Sequence, residues 1–147
     1  MLLGVAGALL GGRASRGLPG RAAAIGCRQF RRPHLQQPAL ARHATALPPH
    51  ACWHGFAVTD YAVPGVRLMH DIVDAIAAEL RRGARVYLHC HAGVGRTGTA
   101  LGCWLVGQGL AGPAALALIA HKRGALARLA AAPRSPETDA QRAFVLH

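Results

Sequence analysis

Acidic residues are scarce in this chain and unevenly placed. Six Asp and Glu stand against 17 Lys and Arg, and none of the six precedes Asp60. Lysine is nearly missing as well. Lys122 is the single one, so arginine carries almost all of the net charge of +11. That skew, together with heavy Ala and Gly usage, argues against a surface built for nucleic acid. No nucleic-acid motif or aromatic–basic interleaving accompanies it, and no nucleic-acid partner is expected. The four cysteines, Cys27, Cys52, Cys90 and Cys103, include no C-x-x-C pair. Neither a zinc site nor a disulfide scaffold is therefore indicated, and a reducing compartment is the simpler reading. Nor is there an apolar run long enough to cross a bilayer: residues 2–10 are apolar but too few. No Lys or Arg precedes them, so a secretory signal is poorly supported. Stable membrane insertion is not expected. The expected location is the cytoplasm, with targeting by the Arg-rich N-terminus as the alternative.

The length of 147 residues fits one domain. Composition divides it into a basic N-terminal extension, residues 1–52, and a domain over 53–147. Residues 13–42 carry seven Arg among Ser, Ala, Gly and Pro. They suit an unstructured or atypical arm, a misassigned start, a transit segment or a folded part. Residues 35–49, with three prolines, read as linker.

Beyond that point the periodicity is clearer. Residues 53–59 predict a short strand. Pro64 suits the first turn of a helix, along which Met69, Ile72, Val73, Ile76 and Leu80 recur at helical spacing, ending near Gly83. Asp71, Asp74, Glu79 and Arg81 fall largely off that stripe. A strand over 85–89 completes a βαβ unit with parallel strands. Residues 97–109 predict a nearly wholly apolar central helix, with Cys103 packed in it and with Gly98 and Gly102 letting it lie close on the sheet. A further helix covers 113–122, extended by residues 123–133 if the Ala- and Arg-rich run is helical. A last one opens with Ser135 as N-cap and Pro136 in its first turn, docked by Phe144 and Val145. The expected fold class is α/β, a small parallel sheet flanked by helices, without convincing strands in residues 1–52.

The chain is organised around residues 86–99. A strand runs into Cys90-His91-Ala92-Gly93-Val94-Gly95-Arg96, and a helix follows from Thr97. A strand, a glycine loop and a helix start together make an anion cradle, because loop N–H groups and the helix dipole point inward. Gly93 and Gly95 permit tight backbone geometry. Arg96 offers a planar fork for two oxygens of one phosphate. In such a field the Cys90 thiol should ionise and become a nucleophile. Metal binding by His89, Cys90 and His91 is disfavoured, since neighbouring strand residues point to opposite faces and no second ligand cluster appears.

His89-Cys90, five residues, then Arg96-Thr97 resembles the signature of the cysteine-dependent protein tyrosine and dual-specificity phosphatases. The resemblance covers residues 53–147 and implies a phosphatase-like fold. It also implies hydrolysis of phosphotyrosine, with phosphoserine and phosphothreonine as further candidates, through a cysteinyl-phosphate. Within it Cys90 is the nucleophile, Arg96 the oxyanion clamp and Asp60, in Asp-x-x-x-Pro, the general acid. Thr97 would hydrogen-bond the Cys90 sulfur. The loop positions His91, Ala92, Gly93, Val94, Gly95 and Arg96 would hold the phosphate, and His89 would brace the loop. Gln141 matches a water-positioning glutamine of the family, with helix packing as the alternative. Glu137 stands where some tyrosine phosphatases carry such a glutamine. No metal or organic cofactor is implied. The partner is a phosphoprotein substrate, favoured over an inositol lipid because His91, Ala92 and Val94 bring no Lys or Arg to the loop. Oligomeric state is not implied. Two other readings compete: a phosphate-binding module with little or no catalysis, and a sulfur-transfer or arsenate-reducing enzyme.

Overall fold

A central strand of alanines holds the sheet together. The computed structural model describes residues 2–4, 7–10, 22–28, 52–126 and 134–147. Its sheet has five strands: β1 (Leu2–Gly4), β2 (Gly7–Leu10), β3 (Ala22–Arg28), β4 (Cys52–Ala57) and β5 (Arg85–His89). Their order is β1-β2-β5-β3-β4. Strands β3, β4 and β5 are mutually parallel, while β1 and β2 add an antiparallel hairpin beyond β5. Ala22, Ala23, Ala24, Ile25 and Cys27 of β3 are all buried. This is the continuous apolar run of a strand covered on both faces.

Among the described residues four helices flank the sheet: α1 (Val66–Arg81), α2 (Gly95–Gly107), α3 (Gly112–Leu126) and α4 (Asp139–Leu146). The α/β class expected from sequence is the one found. Strands β4 and β5 are parallel as predicted, but β3 lies between them. The expectation of no convincing strands in residues 1–52 is corrected by β1, β2 and, between the two predicted strands, β3. Alanine fits poorly with strand propensity, and flanking arginines disguise the segment. What selects it is the narrow space between two strands and the helices above them. Apart from these three strands, residues 1–51, the predicted linker included, lie outside the described residues. So does residues 127–133, the end of the proposed extension of α3.

The core lies between the helices and the parallel strands. Ile25, Ile72, Ile76, Leu88, Leu101 and Ile119 are fully buried, each stabilising the fold by about 1.5–3 kcal/mol. Met69, Ile72 and Ile76 form the buried stripe of α1, with Asp71 and Asp74 exposed as expected. Glu79 departs from expectation: it is buried with the stripe rather than solvated.

Two further expectations are corrected near the C-terminus. Gly98 and Gly102 do not bring α2 against the sheet. A Cβ at Gly98 would collide with the Ser135 hydroxyl, and one at Gly102 would fall 2.7 Å from Val145 Cγ2. The small residues admit the C-terminal segment instead. Helix α4 is capped not by Ser135 but by Thr138, whose hydroxyl accepts from Gln141 N at 3.1 Å. Thr138 and Gln141 form a capping box, the stronger local signal. Ser135 donates to Val94 O at 2.8 Å, fastening this segment to the loop after β5.

Candidate active site

Three parallel strands end on one edge, the edge at which open α/β sheets place ligands. Strand β5 runs directly into Cys90, the loop turns through Gly93, and α2 starts at Gly95. Gly93 has φ +69°, in the left-handed region that glycine enters freely. This turn aims the Gly93 N–H back at Cys90 Sγ, 3.3 Å away. His91 and Ala92 are exposed at the loop's crest, while Gly93, Val94, Gly95 and Arg96 are buried. Buried His89 closes β5, its ring stacked on Tyr87 at 5.5 Å between centroids.

Arg96 is the residue that the other strands position. Its Nη1 donates to Cys27 O at 3.4 Å and Val58 O at 3.3 Å, at the ends of β3 and β4. Its Nη2 lies 2.8 Å from Asp60 Oδ1. Nε is buried and has no hydrogen-bond partner among the described residues. A guanidinium carries five donors, and this one has a buried N–H still uncommitted. The loop holding Asp60 follows β4, so Asp60 and Cys90 come to the same edge although 30 residues separate them in sequence.

The sulfur at the centre is felt by its neighbours. Burial pushes the Cys27 thiol up to about 12; the charge of Cys90 adds to that rise and Arg96 opposes it. Burial also raises Tyr87, with a smaller contribution from Cys90. Arg123 is lowered by burial, and Cys90 acts in the opposite sense.

The hydrogen bond expected from Thr97 to the Cys90 sulfur is not formed. Thr97 Oγ1 is buried without a partner among the described residues, and Sγ takes the Gly93 N–H instead. Gln141 is also fully buried. Its Oε1 accepts from Glu137 N at 3.1 Å and Thr138 N at 3.2 Å, and its Nε2 donates to Ala62 O at 3.2 Å. The amide thus couples the start of α4 to the Asp60 loop. This is the packing alternative rather than an amide open to water.

Three contributors escaped the sequence reading. Arg123 of α3 donates from Nη1 to Gly93 O at 3.2 Å. Ser135 holds Val94, and the Cys27 carbonyl anchors Arg96. Arg123 sits in an Ala-rich helix with no motif around it, and the other two act through backbone contacts. No sequence pattern marks any of the three.

A family profile described as "Polymorphic toxin system, DSP-PTPase phosphatase" matches residues 36–110, half of the chain. The chain belongs to this phosphatase family. Among curated proteins, "Protein tyrosine phosphatase domain-containing protein 1" of Bos taurus is 39% identical over 54 residues, covering 37% of this chain and 7% of the relative. The same protein of Mus musculus matches at 39% over 54 residues. The chain thus matches only a small part of these relatives' length. Two solved structures share the phosphatase fold. The active form of Tk-PTP superposes with TM-score 0.64 and 24% identity, over 85% of this chain and 76% of that one. Kinase associated phosphatase, its catalytic-site cysteine replaced by serine, gives 0.66 and 16%, over 86% and 67%.

Proposed function

We propose that the chain is an active protein phosphatase that hydrolyses phosphotyrosine, and in open-pocket substrates phosphoserine and phosphothreonine, through a cysteinyl-phosphate. The observation that carries this is Arg96: a buried guanidinium whose Nε–H has no partner among the described residues, set at the start of α2 on the same loop as Cys90. Buried donors without partners are costly, and a phosphate oxygen would satisfy this one.

The Cys90 sulfur attacks phosphorus while the ester P–O bond breaks. Loop N–H groups and Arg96 stabilise the equatorial oxygens as charge develops on them. Phosphate taking the Arg96 fork displaces Asp60 Oδ1, which then serves the leaving oxygen. The displaced carboxylate takes up a proton from solvent and gives it to that oxygen, a contribution of about 10²–10⁴-fold for a positioned acid. In the second half Asp60 takes a proton from water, the water oxygen attacks phosphorus, and the S–P bond breaks. Inorganic phosphate departs and the Cys90 thiolate returns. The Thr97 hydroxyl, uncommitted in the resting site, can donate to that departing sulfur. His91 and Ala92 at the rim bring no cation for a second phosphate, which supports a phosphoprotein substrate over a polyphosphorylated lipid.

Hydrolysis of p-nitrophenyl phosphate and of phosphotyrosine and phosphoserine peptides tests this reading. Turnover of the tyrosine peptide that is lost in Cys90→Ser is expected. Phosphate binding without turnover in the unaltered chain would reduce the protein to a binding module.

A further inference from the structure

One group of chemically capable side chains lies outside the phosphatase site. Cys52 and His54 alternate along β4, so they share one face of the sheet. Glu79 reaches them from the last turn of α1. His54 Nε2 is 3.5 Å from Cys52 Sγ and 3.2 Å from Glu79 Oε1. The three donor atoms all lie within 4.8 Å of one another. They stand at the beginning of β4, away from the strand end where Asp60 emerges.

The spacing is that of ligands around a small metal ion. Tetrahedral zinc, with bonds of ~2.3 Å to sulfur and ~2.0–2.1 Å to nitrogen or oxygen, sets its ligands about 3.5 Å (S to N) and about 3.3 Å (N to O) apart. Thiolate and imidazole together select a zinc-class ion over magnesium or calcium. One thiolate and one carboxylate match its double charge. The Glu79 side chain is only 3% exposed, and both of its contacts, with His54 and with Arg82 Nη1 at 2.6 Å, fall on Oε1. A metal would take Oε1, the oxygen that stands 3.2 Å from His54 Nε2, and Arg82 competes with it there. Cys52 Sγ approaches the same imidazole nitrogen at 3.5 Å, so sulfur, nitrogen and oxygen donors converge there.

We propose that Cys52, His54 and Glu79 bind one zinc-class divalent cation, with water as the fourth ligand, clipping strand β4 to helix α1. Binding releases the Cys52 thiol proton to solvent. The clip closes residues 52–79 into a loop, and that loop contains Asp60. It would therefore steady the acid-bearing segment from outside the active site.

The test uses the full chain carrying Cys90→Ser, so that the catalytic sulfur cannot act as ligand. Titration with Co²⁺ should give a saturable thiolate-to-cobalt charge-transfer band at one equivalent, displaced by Zn²⁺. Cys52→Ser should remove the band. His54→Gln should weaken Co²⁺ binding by about tenfold or more, the range seen when a metal site loses a supporting group. Arg82→Ala should tighten it, because the guanidinium no longer competes for the carboxylate. Circular dichroism matched to the parent ensures that folded protein is compared. An independent measurement needs no variant at this site: Zn²⁺ should slow alkylation of the exposed Cys52 by about tenfold or more. No saturable band, a band that survives Cys52→Ser, or alkylation of Cys52 indifferent to Zn²⁺ would overturn the proposal.

Discussion

Asp60 Oδ1 and Arg96 Nη2 meet at 2.8 Å, joining the loop after β4 to the start of α2. The arginine side chain is 2% exposed and the aspartate 37%. An anion arriving from solvent therefore meets a carboxylate already holding the guanidinium it needs. Asp60→Asn removes that competing charge while keeping the shape. Vanadate or inorganic phosphate should bind several-fold tighter to this variant by calorimetry, and kcat should fall by about 10² or more. Weaker anion binding with undiminished kcat would remove Asp60 from the reaction.

Arg123 holds the phosphate loop from behind, through the Gly93 carbonyl. In the proposed reaction it positions the Gly93 N–H that faces Cys90. Arg123→Ala should raise KM for p-nitrophenyl phosphate by about tenfold, or ~1.4 kcal/mol, with a smaller change in kcat. Arg123→Lys should recover part of the loss, since a cation still reaches the carbonyl. A fall in kcat at constant KM would contradict a positioning role.

Helix α2 admits the C-terminal helix only because residue 102 has no side chain. A Cβ there would lie 2.7 Å and 2.8 Å from the two methyl carbons of Val145. Gly102→Ala should lower unfolding free energy by about 1–3 kcal/mol, as overpacking does. Val145→Ala in the same chain should restore part of that loss, and a denaturant double-mutant cycle measures the coupling. Additive effects would show that the two positions do not touch.

Stability should decline in alkali because of two thiols, one in β3 and one in α2. Burial raises the Cys27 thiol from 9.0 to about 12, and burial raises Cys103 from 9.0 to about 11. Above pH 9 the unfolded chain loses these protons while the folded chain keeps them. The unfolded state then binds fewer protons, so stability falls as pH rises, by up to about 1.4 kcal/mol per pH unit for each group. The decline runs from about 9 to about 11 for Cys103 and to about 12 for Cys27. Urea midpoints from pH 8 to 11 should show it, and Cys27→Ala should flatten it. A slope unchanged in that variant would place the titration elsewhere.

The turn from β5 through Gly93 into α2 was legible because its signals are local. Cys90, Gly93, Gly95 and Arg96 lie within seven residues, and the strand and helix around them follow from ordinary periodicity. That Asp60 and Cys90 come to one edge of the sheet was legible from the place of Asp60 before α1. Strand β3 was not, because its alanines acquire strand character only between β4 and β5. Glu79 looked solvated because its partners, His54 and Arg82, become visible only once α1 packs beside β4. Arg123 and Ser135 act on backbone carbonyls, a role that any nearby donor can fill and that no spacing rule reveals. Local chemistry could be read from order along the chain, whereas these contacts depend on which distant segments meet.

The central claim is that phosphate passes through a bond to the sulfur of Cys90. Rapid acid quench during turnover of p-nitrophenyl phosphate, followed by peptide mass spectrometry, measures this directly. The account predicts one phosphoryl group on the peptide containing Cys90 and none in Cys90→Ser. Steady turnover with the phosphoryl group on another residue, or with Cys90→Ser fully active, would contradict it.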